Sequence, residues 1–309
     1  MEDTIVILGN GFDCDWGLKY INSIDENGKV CQKNIGLDFS YDSYCKYHLC
    51  PACNPKREIQ LWSGFENYIR QKVLTWYKEY RTESFAIEIN EEWRAFKSVF
   101  SFFFQNQLDK QNVQINKDSC AYAFLNNFSD KSKVYTFNYT YPYEFDVVGI
   151  HPKKEFTFVH GRFSNKRPTG MTMYISYSKE MILGIDYKRI PNMVKTNKYF
   201  KPLIKHLYAD TNIERDIINA RNVIFFGLSM GITDSDYFNE FFAAITKGIS
   251  ICEVIYYITL NESGFDTFKE NIRKMGYDYS SIESQVKITP IYTSQGVENE
   301  DFKSVLSFI

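Results

Sequence analysis

Polar and glycine motifs follow four apolar segments of this sequence, at the points where those segments would end as β-strands. The motifs are Gly9-Asn-Gly-Phe-Asp13, Thr136-Phe-Asn-Tyr-Thr140, Val159-His-Gly161 and Gly227-Leu-Ser-Met-Gly231, the last followed by Asp234 and Asp236. Ligands of parallel sheets bind at the carboxyl ends of the strands, near the point where the strand order reverses. We therefore expect these distant motifs to converge on one crevice, and their joint occurrence is what predicts a site.

The first motif has the composition of a phosphate-binding turn. Thr4 to Leu8 is an apolar run without charge, which predicts a strand buried on both faces. Gly9, Asn10 and Gly11 follow at once, and a helix or its approach is expected around Trp16–Leu18. Such a turn would leave backbone N–H groups free for a phosphate or pyrophosphate. The spacing is not G-x-G-x-x-G, so a tight turn without a ligand is the alternative interpretation.

The elements that must position these motifs alternate between strands and helices. Apolar runs predict strands over 4–8, 133–137, 156–159, 181–185, 222–226, 252–260 and 286–291. Apolar spacing of three and four predicts helices over 63–80, 91–109, 119–128, 234–247, 264–275 and 302–308. This alternation predicts an α/β fold with a doubly wound, mostly parallel, Rossmann-like sheet and helical insertions.

Length and composition predict one cytoplasmic domain. The chain has 309 residues and is 44% hydrophobic, which is enough for a large core. Lys and Arg number 36 against 38 for Asp and Glu, so nucleic acid is not expected as a partner on charge grounds. No apolar run reaches membrane-spanning length, and the start lacks the pattern of a signal peptide. We expect a single domain over 1–309, with a Cys-rich insertion or lid at 19–57 and a helical insertion at 63–128.

The motifs resemble those of the AbiH family, bacterial abortive-infection proteins that defend cells against phage. The resemblance is carried by Ile7–Asp13, Trp62–Glu66, Thr136–Thr140, Val159–Gly161, Ile182–Asp186 and Gly227–Asp234, which occur in the family's order and cover most of the chain. AbiH proteins in turn resemble the sirtuin-like NAD-binding fold. In that fold a glycine turn cradles the dinucleotide, an Asn follows one strand, a His-Gly ends another, and a late Gly-x-Ser lines the pocket.

The sequence departs from the sirtuin-like pattern at two positions. Thr140 stands where those proteins usually have an acid, and Gly9-Asn10-Gly11 stands where Gly-Ala-Gly is common. Asn10 adds a side chain close to the expected phosphates, so a different nucleotide is expected to fit. The resemblance therefore implies nucleotide binding more strongly than it implies cleavage of NAD.

The resemblance implies chemistry at the N-glycosidic bond of NAD, which a nicotinamide-releasing glycohydrolase would cleave. Nicotinamide leaves as a neutral group from a cationic substrate, through an oxocarbenium-like transition state. His160 would act as the base for a ribose hydroxyl or a water, and Asn138 would hydrogen-bond either one without titrating. Nucleotide contacts are expected from Gly9, Asn10, Gly11, Asp13, Gly227, Ser229, Asp234 and Asp236.

Structural roles compete with several of these assignments. Asn138 is also placed to cap a helix, and Asp234 sits where the next helix needs an N-cap. A histidine in a strand-end loop commonly serves as a structural hydrogen bonder, and the functional interpretation of His160 depends on Asn138 and on the family motifs. Ser63 and Glu66 have capping-box spacing, which explains Glu66 without a role in the site.

A cysteine cluster within the 19–57 insertion suggests a zinc site. Cys45, His48, Cys50 and Cys53 supply four potential ligands, with Cys31 as the alternative to His48, and Cys50 and Cys53 have C-x-x-C spacing. A structural zinc would order a segment that has little apolar periodicity. The alternative is a set of reduced cysteines without metal, because a second, well-separated C-x-x-C pair is lacking and four ligands within nine residues are crowded. The odd total of seven cysteines argues against a disulfide framework.

Three functions are compatible with these motifs. The first is an antiphage effector that binds a nucleotide and hydrolyses NAD, with a phage-derived trigger or a neighbouring defence protein as partner and homo-oligomers as a further expectation. The second is a nucleotide-sensing or scaffolding module without turnover. The third is a metal-dependent nuclease that uses Asp13, Asp234 and Asp236. No membrane association is expected.

Overall fold

A six-stranded parallel sheet lies at the centre of the molecule, as seen in a computed structural model. The structure describes residues 4–16, 21–24, 30–33, 62–94, 116–129, 131–144, 154–161, 185, 190–204, 212–231, 234–307 and 309. The eight strands of this part are β1 (Thr4–Leu8), β2 (Ile21–Ile24), β3 (Val30–Lys33), β4 (Ser132–Thr136), β5 (Phe156–Phe158), β6 (Asn222–Phe226), β7 (Val254–Thr259) and β8 (Lys287–Tyr292).

The order of the strands is that of a Rossmann-like sheet. Neighbours across the sheet are β5-β4-β1-β6-β7-β8, and β2 pairs with β3 in a separate antiparallel hairpin. Numbered by chain order within the large sheet, this is 3-2-1-4-5-6, the order of doubly wound dinucleotide-binding sheets. The order reverses between β1 and β6, so the carboxyl ends of these two strands mark the topological switch point.

Helices cover both faces of the sheet. They are α1 (Asn10–Trp16), α2 (Trp62–Thr75, continued by a π-helical turn over Trp76–Tyr80), α3 (residues 83–94), α4 (Cys120–Asn127), α5 (Asn192–Thr196), α6 (Ile213–Ile218), α7 (Ser235–Thr246), α8 (Glu262–Lys274), α9 (Tyr279–Glu283) and α10 (Glu300–Leu306). None of these described helices is long and apolar enough to cross a membrane.

The core is divided by the sheet into two apolar clusters, because successive side chains of a strand point to opposite faces. In β1, Val6 and Leu8 belong to one cluster, which also contains residues of α1 to α5 and α10. Ile5 and Ile7 belong to the other, which contains residues of α6 to α9. All five residues of β1 are buried, as expected for a central strand with helices on both sides.

The α/β prediction is confirmed at the level of a parallel Rossmann-like sheet. The predicted strands at 133–137, 156–159, 222–226, 252–260 and 286–291 correspond to β4 to β8, with ends shifted by a residue or two. The predicted helices at 63–80, 119–128, 234–247, 264–275 and 302–308 are likewise present. The predicted strand at 181–185 lies outside the described residues except for Ile185, which forms an isolated parallel bridge with Ile204.

Three predictions of local structure need correction. The first helix begins at Asn10, directly after Gly9, and not around Trp16–Leu18. The helix predicted at 91–109 begins earlier, at residue 83, and residues 95–115 lie outside the described part of the chain. The 19–57 insertion, which shows no regular period, contains the β2–β3 hairpin.

Candidate functional site

The turn after β1 and the turn after β6 meet at the switch point through their backbones. Gly9 N donates to the Phe226 carbonyl oxygen at 2.9 Å, and Gly11 N donates to the Gly227 carbonyl oxygen at 2.8 Å. Gly227 N in turn donates to the Ile258 carbonyl oxygen of β7 at 2.9 Å. The carboxyl ends of β1, β6 and β7 are thereby tied together in one hydrogen-bonded row.

Glycine is required for this approach. A Cβ atom on Gly227 would lie 2.2 Å from Phe12 N and 2.4 Å from the Gly11 carbonyl carbon, and its φ of +66° is left-handed. A Cβ on Gly9 would lie 2.6 Å from the Gly227 carbonyl oxygen, and one on Gly11 would lie 2.7 Å from the Gly227 Cα. Real Cβ atoms do not approach backbone this closely, so the three glycines allow the two turns to touch.

This contact corrects the prediction of free N–H groups in the glycine turn. The N–H groups of Gly9 and Gly11 are bonded to carbonyl oxygens of the β6 end, and Phe12 N donates to the Gly9 carbonyl oxygen at 2.9 Å. In this conformation these three donors are therefore occupied by the protein itself, not directed at a phosphate. The sequence could not reveal this, because the partner turn is distant along the chain.

Asn138 lies fully buried at the carboxyl end of β4, beside the same turn. Its side-chain nitrogen donates to the Gly9 carbonyl oxygen at 2.9 Å, and its backbone N donates to Thr136 Oγ1 at 3.1 Å. Its side-chain oxygen is buried and accepts no hydrogen bond from the residues that the structure describes. Asn10 has a buried side-chain oxygen in the same condition.

Asp13 joins this group from the first helix. Its Oδ1 accepts from Trp16 Nε1 at 2.9 Å, and its Oδ2 accepts from Thr140 Oγ1. Burial raises the pKa of Asp13 from 3.8 to about 7, and the contacts with Thr140, Trp16 and Asn138 oppose that increase. A carboxyl with such a pKa changes charge near neutral pH, which is uncommon for aspartate and typical of functional sites.

His160 follows β5 and is packed among aromatic rings. The centroid of its ring lies 5.1 Å from that of Phe137, 5.9 Å from that of Tyr237 and 6.3 Å from that of Tyr139. The residue is only 5% exposed. Asn138 therefore contacts Gly9 and Asp13, whereas the ring of His160 contacts its aromatic neighbours.

The turn after β6 holds the remaining predicted contacts. Ser229 is exposed, and its carbonyl oxygen accepts from Asn271 Nδ2 of α8 at 2.8 Å. Asp234 occupies the N-cap position of α7, as predicted, but its side chain makes no capping hydrogen bond. Asp236 is buried in the first turn of α7, where a negative charge interacts favourably with the helix dipole.

The turn itself is firmly held. The Tyr257 hydroxyl of β7 donates to the Leu228 carbonyl oxygen at 2.7 Å. Met230 is fully buried and has a φ of +50°, a left-handed conformation that is uncommon for a residue with a side chain. Backbone strain of this kind persists only where the surroundings impose it, and it is common near functional sites.

The structure thus brings together Gly9, Gly11, Asp13, Asn138 and Gly227, and we call these five residues the strand-end junction. Two further members of the hydrogen-bond network, Trp16 and Thr140, were not identified as functional from the sequence. Trp16 is three residues after Asp13, which is a helical spacing, but it becomes informative only when the helix begins at Asn10. Thr140 stood out only as a departure from the sirtuin-like pattern.

The predicted zinc ligands Cys45, His48, Cys50 and Cys53 lie outside the described residues. Within the described ranges, no three His, Cys, Asp or Glu side chains are grouped as metal ligands would be. Asp13, the acid of the strand-end junction, is instead surrounded by the uncharged partners Trp16, Asn138 and Thr140.

Comparison with known proteins gives no match: no family model, no curated protein and no solved structure matches this chain.

Proposed function

We propose that this chain binds a nucleotide at the strand-end junction and hydrolyses NAD at the bond between nicotinamide and ribose, as an effector of antiphage abortive infection. The Rossmann-like strand order supports a ligand site at the carboxyl ends of β1, β4 and β6, because open α/β sheets bind ligands at the switch point. The motif order that resembles AbiH and sirtuin-like proteins supports the choice of nucleotide and reaction.

The observation that carries the proposal is the buried Asn138 side-chain oxygen, which has no donor among the described residues. Leaving such a group unpaired costs about 1–3 kcal/mol, so a folded protein retains it only for a reason. A ligand hydroxyl or a bound water would supply the missing hydrogen bond. Asn138 lies one hydrogen bond away from Gly9 at the switch point, where a ligand is expected, and the resemblance to sirtuin-like proteins suggests a ribose or a water as its partner.

The proposed reaction needs few groups from the protein. Nicotinamide is a good leaving group, so the protein must hold the ribose, stabilise the developing positive charge and direct a water to the anomeric carbon. Asn138 is the proposed ribose or water contact, and His160 is the proposed base. Ser229, which is exposed on the β6 turn, is the proposed contact for a ribose or phosphate oxygen.

The test is nicotinamide release from NAD by the purified protein, alone and with lysate from phage-infected cells as a source of trigger. We expect release by the wild type, loss of at least about a hundredfold in Asn138→Ala, and full activity in Asn126→Ala, an exposed asparagine on α4. Full activity in Asn138→Ala would contradict the role of Asn138. Nicotinamide release that survives EDTA would show that the cleavage of NAD needs no metal ion.

A nucleotide-sensing module without turnover is the second candidate, and the packing of His160 favours it. The imidazole lies among three aromatic rings and is 5% exposed, so a water must first gain access before His160 can act as a base. Binding of NAD without any product, with or without infected-cell lysate, would support this second function and contradict the first.

A further inference from the structure

The hydrogen bond to the Gly9 carbonyl oxygen orients the Asn138 side-chain amide, and the Asp13 carboxyl lies close enough for this side chain to affect its pKa. The amide nitrogen donates to the Gly9 carbonyl oxygen at 2.9 Å, and the same side chain contacts the Asp13 carboxyl and lowers its pKa. A carbonyl oxygen and a carboxylate both accept hydrogen bonds, so only the amide nitrogen can satisfy them. The side-chain oxygen is left without a donor in the described part of the chain.

Asp13 holds the chain segment that carries Asn138. One carboxyl oxygen accepts from Thr140, two residues after Asn138, and the other accepts from Trp16 on the first helix. The carboxyl therefore connects α1 with the segment after β4 while lying buried between them. Burying a carboxyl between two elements is costly unless it is hydrogen-bonded. Both oxygens of Asp13 accept hydrogen bonds, one from each element.

The unpaired oxygen defines what a ligand must present to it. An amide oxygen accepts hydrogen bonds and cannot donate, so its partner must carry an O–H or N–H group. An ionised phosphate has no such hydrogen, and the N–H groups of Gly9 and Gly11 that would have attracted one are already bonded. Asn10, the residue after Gly9 in the sequence, also has a buried side-chain oxygen without a donor among the described residues. A sugar hydroxyl, which can donate a hydrogen bond, is therefore a suitable partner for the Asn138 side-chain oxygen.

We propose that Asp13 is a positioning residue, which fixes Asn138 so that its side-chain oxygen accepts a hydrogen bond from a sugar hydroxyl of the ligand. The inference rests on the proposed function in one respect, since it takes that sugar to be the ribose that carries nicotinamide in NAD, which ADP-ribose retains and ADP lacks. It places the ribose, and not the pyrophosphate, at Gly9 and Asn138. The role of Asp13 is to act through Asn138 without touching the ligand.

The first test needs no ligand. In protein labelled with ¹⁵N-asparagine, the Asn138 side-chain amide signals are identified by their loss in Asn138→Ala and are followed from pH 5 to pH 9. We expect them to shift as Asp13 titrates, with an apparent pKa near its value of about 7, and to show no such step in Asp13→Asn. Thr140→Ser should retain the step, because it keeps the hydroxyl. Asn138 amide signals whose positions change neither with pH nor in Asp13→Asn would overturn the proposal.

Controls separate Asp13 from the other titratable groups nearby. Among the described residues, the groups that contact the Asp13 carboxyl are uncharged: Trp16 from α1, and Asn138 and Thr140 from the segment after β4. Asp15 is on the same helix and burial also raises its pKa, and His160 packs against Tyr139. A step that survives Asp13→Asn but disappears in Asp15→Asn or His160→Asn would assign the titration elsewhere and would overturn the proposal.

The second test measures the affinity of ADP-ribose, with ADP as a probe that lacks the second ribose. We expect Asp13→Asn to weaken ADP-ribose binding about tenfold in the wild-type background, and to cause no further loss in Asn138→Ala. ADP should bind all variants equally. Equal losses from Asp13→Asn in both backgrounds would overturn the proposal while leaving the proposed function intact. A wild type that binds neither ADP-ribose nor NAD would contradict the proposed function and the ribose assignment, and the amide titration would still decide the role of Asp13.

Discussion

Asn138 donates its side-chain amide to the Gly9 carbonyl oxygen across 2.9 Å, and this bond joins the end of β4 to the turn after β1. The opposite side of that turn contacts Gly227 through backbone atoms alone. The switch point of the sheet is therefore closed by direct contact of its turns, and the ligand site we propose lies at the β4 side of this contact. Three kinds of substitution test separate parts of that arrangement. They lie in the turns, at the buried acid Asp13 and at His160 among its aromatic neighbours.

Adding a methyl group at Gly227 should damage the strand-end junction severely. Gly227→Ala would place a Cβ atom 2.2 Å from Phe12 N, and the left-handed φ adds a cost of about 1–2 kcal/mol. We expect the free energy of unfolding to fall by at least about 3 kcal/mol in total, as measured by urea denaturation. Gly248→Ala is the matched control, since its φ is +65° but its Cβ would meet nothing closer than 3.8 Å. Equal losses in the two variants would show that the contact between the turns is not tight.

Asp13 should make the stability of the protein depend on pH below neutrality. Because the folded carboxyl has a pKa of about 7 and the unfolded one has the ordinary 3.8, the folded state binds the proton more tightly between these values. The contribution of Asp13 to stability is thus complete below pH 3.8 and is lost progressively as the pH rises to about 7. Across this window, we expect the free energy of unfolding of the wild type to fall by about 1.4 kcal/mol per pH unit relative to that of Asp13→Asn.

The comparison requires urea denaturation of both proteins at several values of pH from 4 to 8. Other groups contribute equally to the two curves, so their difference isolates Asp13. Stability curves that run parallel across the whole range would show that Asp13 titrates normally in the folded state.

The sequence predicted the layers of this fold better than the contacts of its site. Unbroken apolar runs such as Thr4–Leu8 and Asn222–Phe226 are sufficient to predict central strands, and the strand ends carry the site motifs. The contact of Gly227 with Gly11 could not be predicted, because it depends on which strands are neighbours. The hydrogen bond between Asp13 and Thr140 is similarly remote in sequence. The β2–β3 hairpin was missed because its short strands mix polar with apolar residues and neither forms an apolar run.

His160 should contribute to stability through its ring as well as to chemistry. It contacts the rings of Phe137, Tyr139 and Tyr237, so His160→Ala removes a packed side chain and should cost about 2–4 kcal/mol. His160→Phe retains a ring and should cost less than about 1.5 kcal/mol. Differential scanning calorimetry and urea denaturation measure both. His160→Phe is therefore the variant for testing the proposed base, and a stable His160→Ala would contradict the packing of the imidazole among these rings.

The reactivity of three cysteines should follow the exposure of their thiols to solvent. Cys14 is exposed, whereas Cys120 and Cys252 are buried, and burial raises the pKa of both buried thiols to about 12. Since the thiolate is the reactive form, we expect a maleimide at pH 7.5 to modify Cys14 within minutes and to spare the other two. Peptide mapping by mass spectrometry locates the label, and Cys14→Ser is the control. Rapid modification of Cys120 in the folded protein would contradict its placement in the core.

The central claim is that the Asn138 side-chain oxygen belongs to a nucleotide site. Isothermal titration of ADP-ribose into the wild type, Asn138→Ala and the exposed control Asn126→Ala tests it most directly. We predict binding by the wild type and by Asn126→Ala with equal affinity, and binding at least about tenfold weaker in a folded Asn138→Ala. Wild-type affinity in Asn138→Ala, or no binding by the wild type itself, would contradict the account.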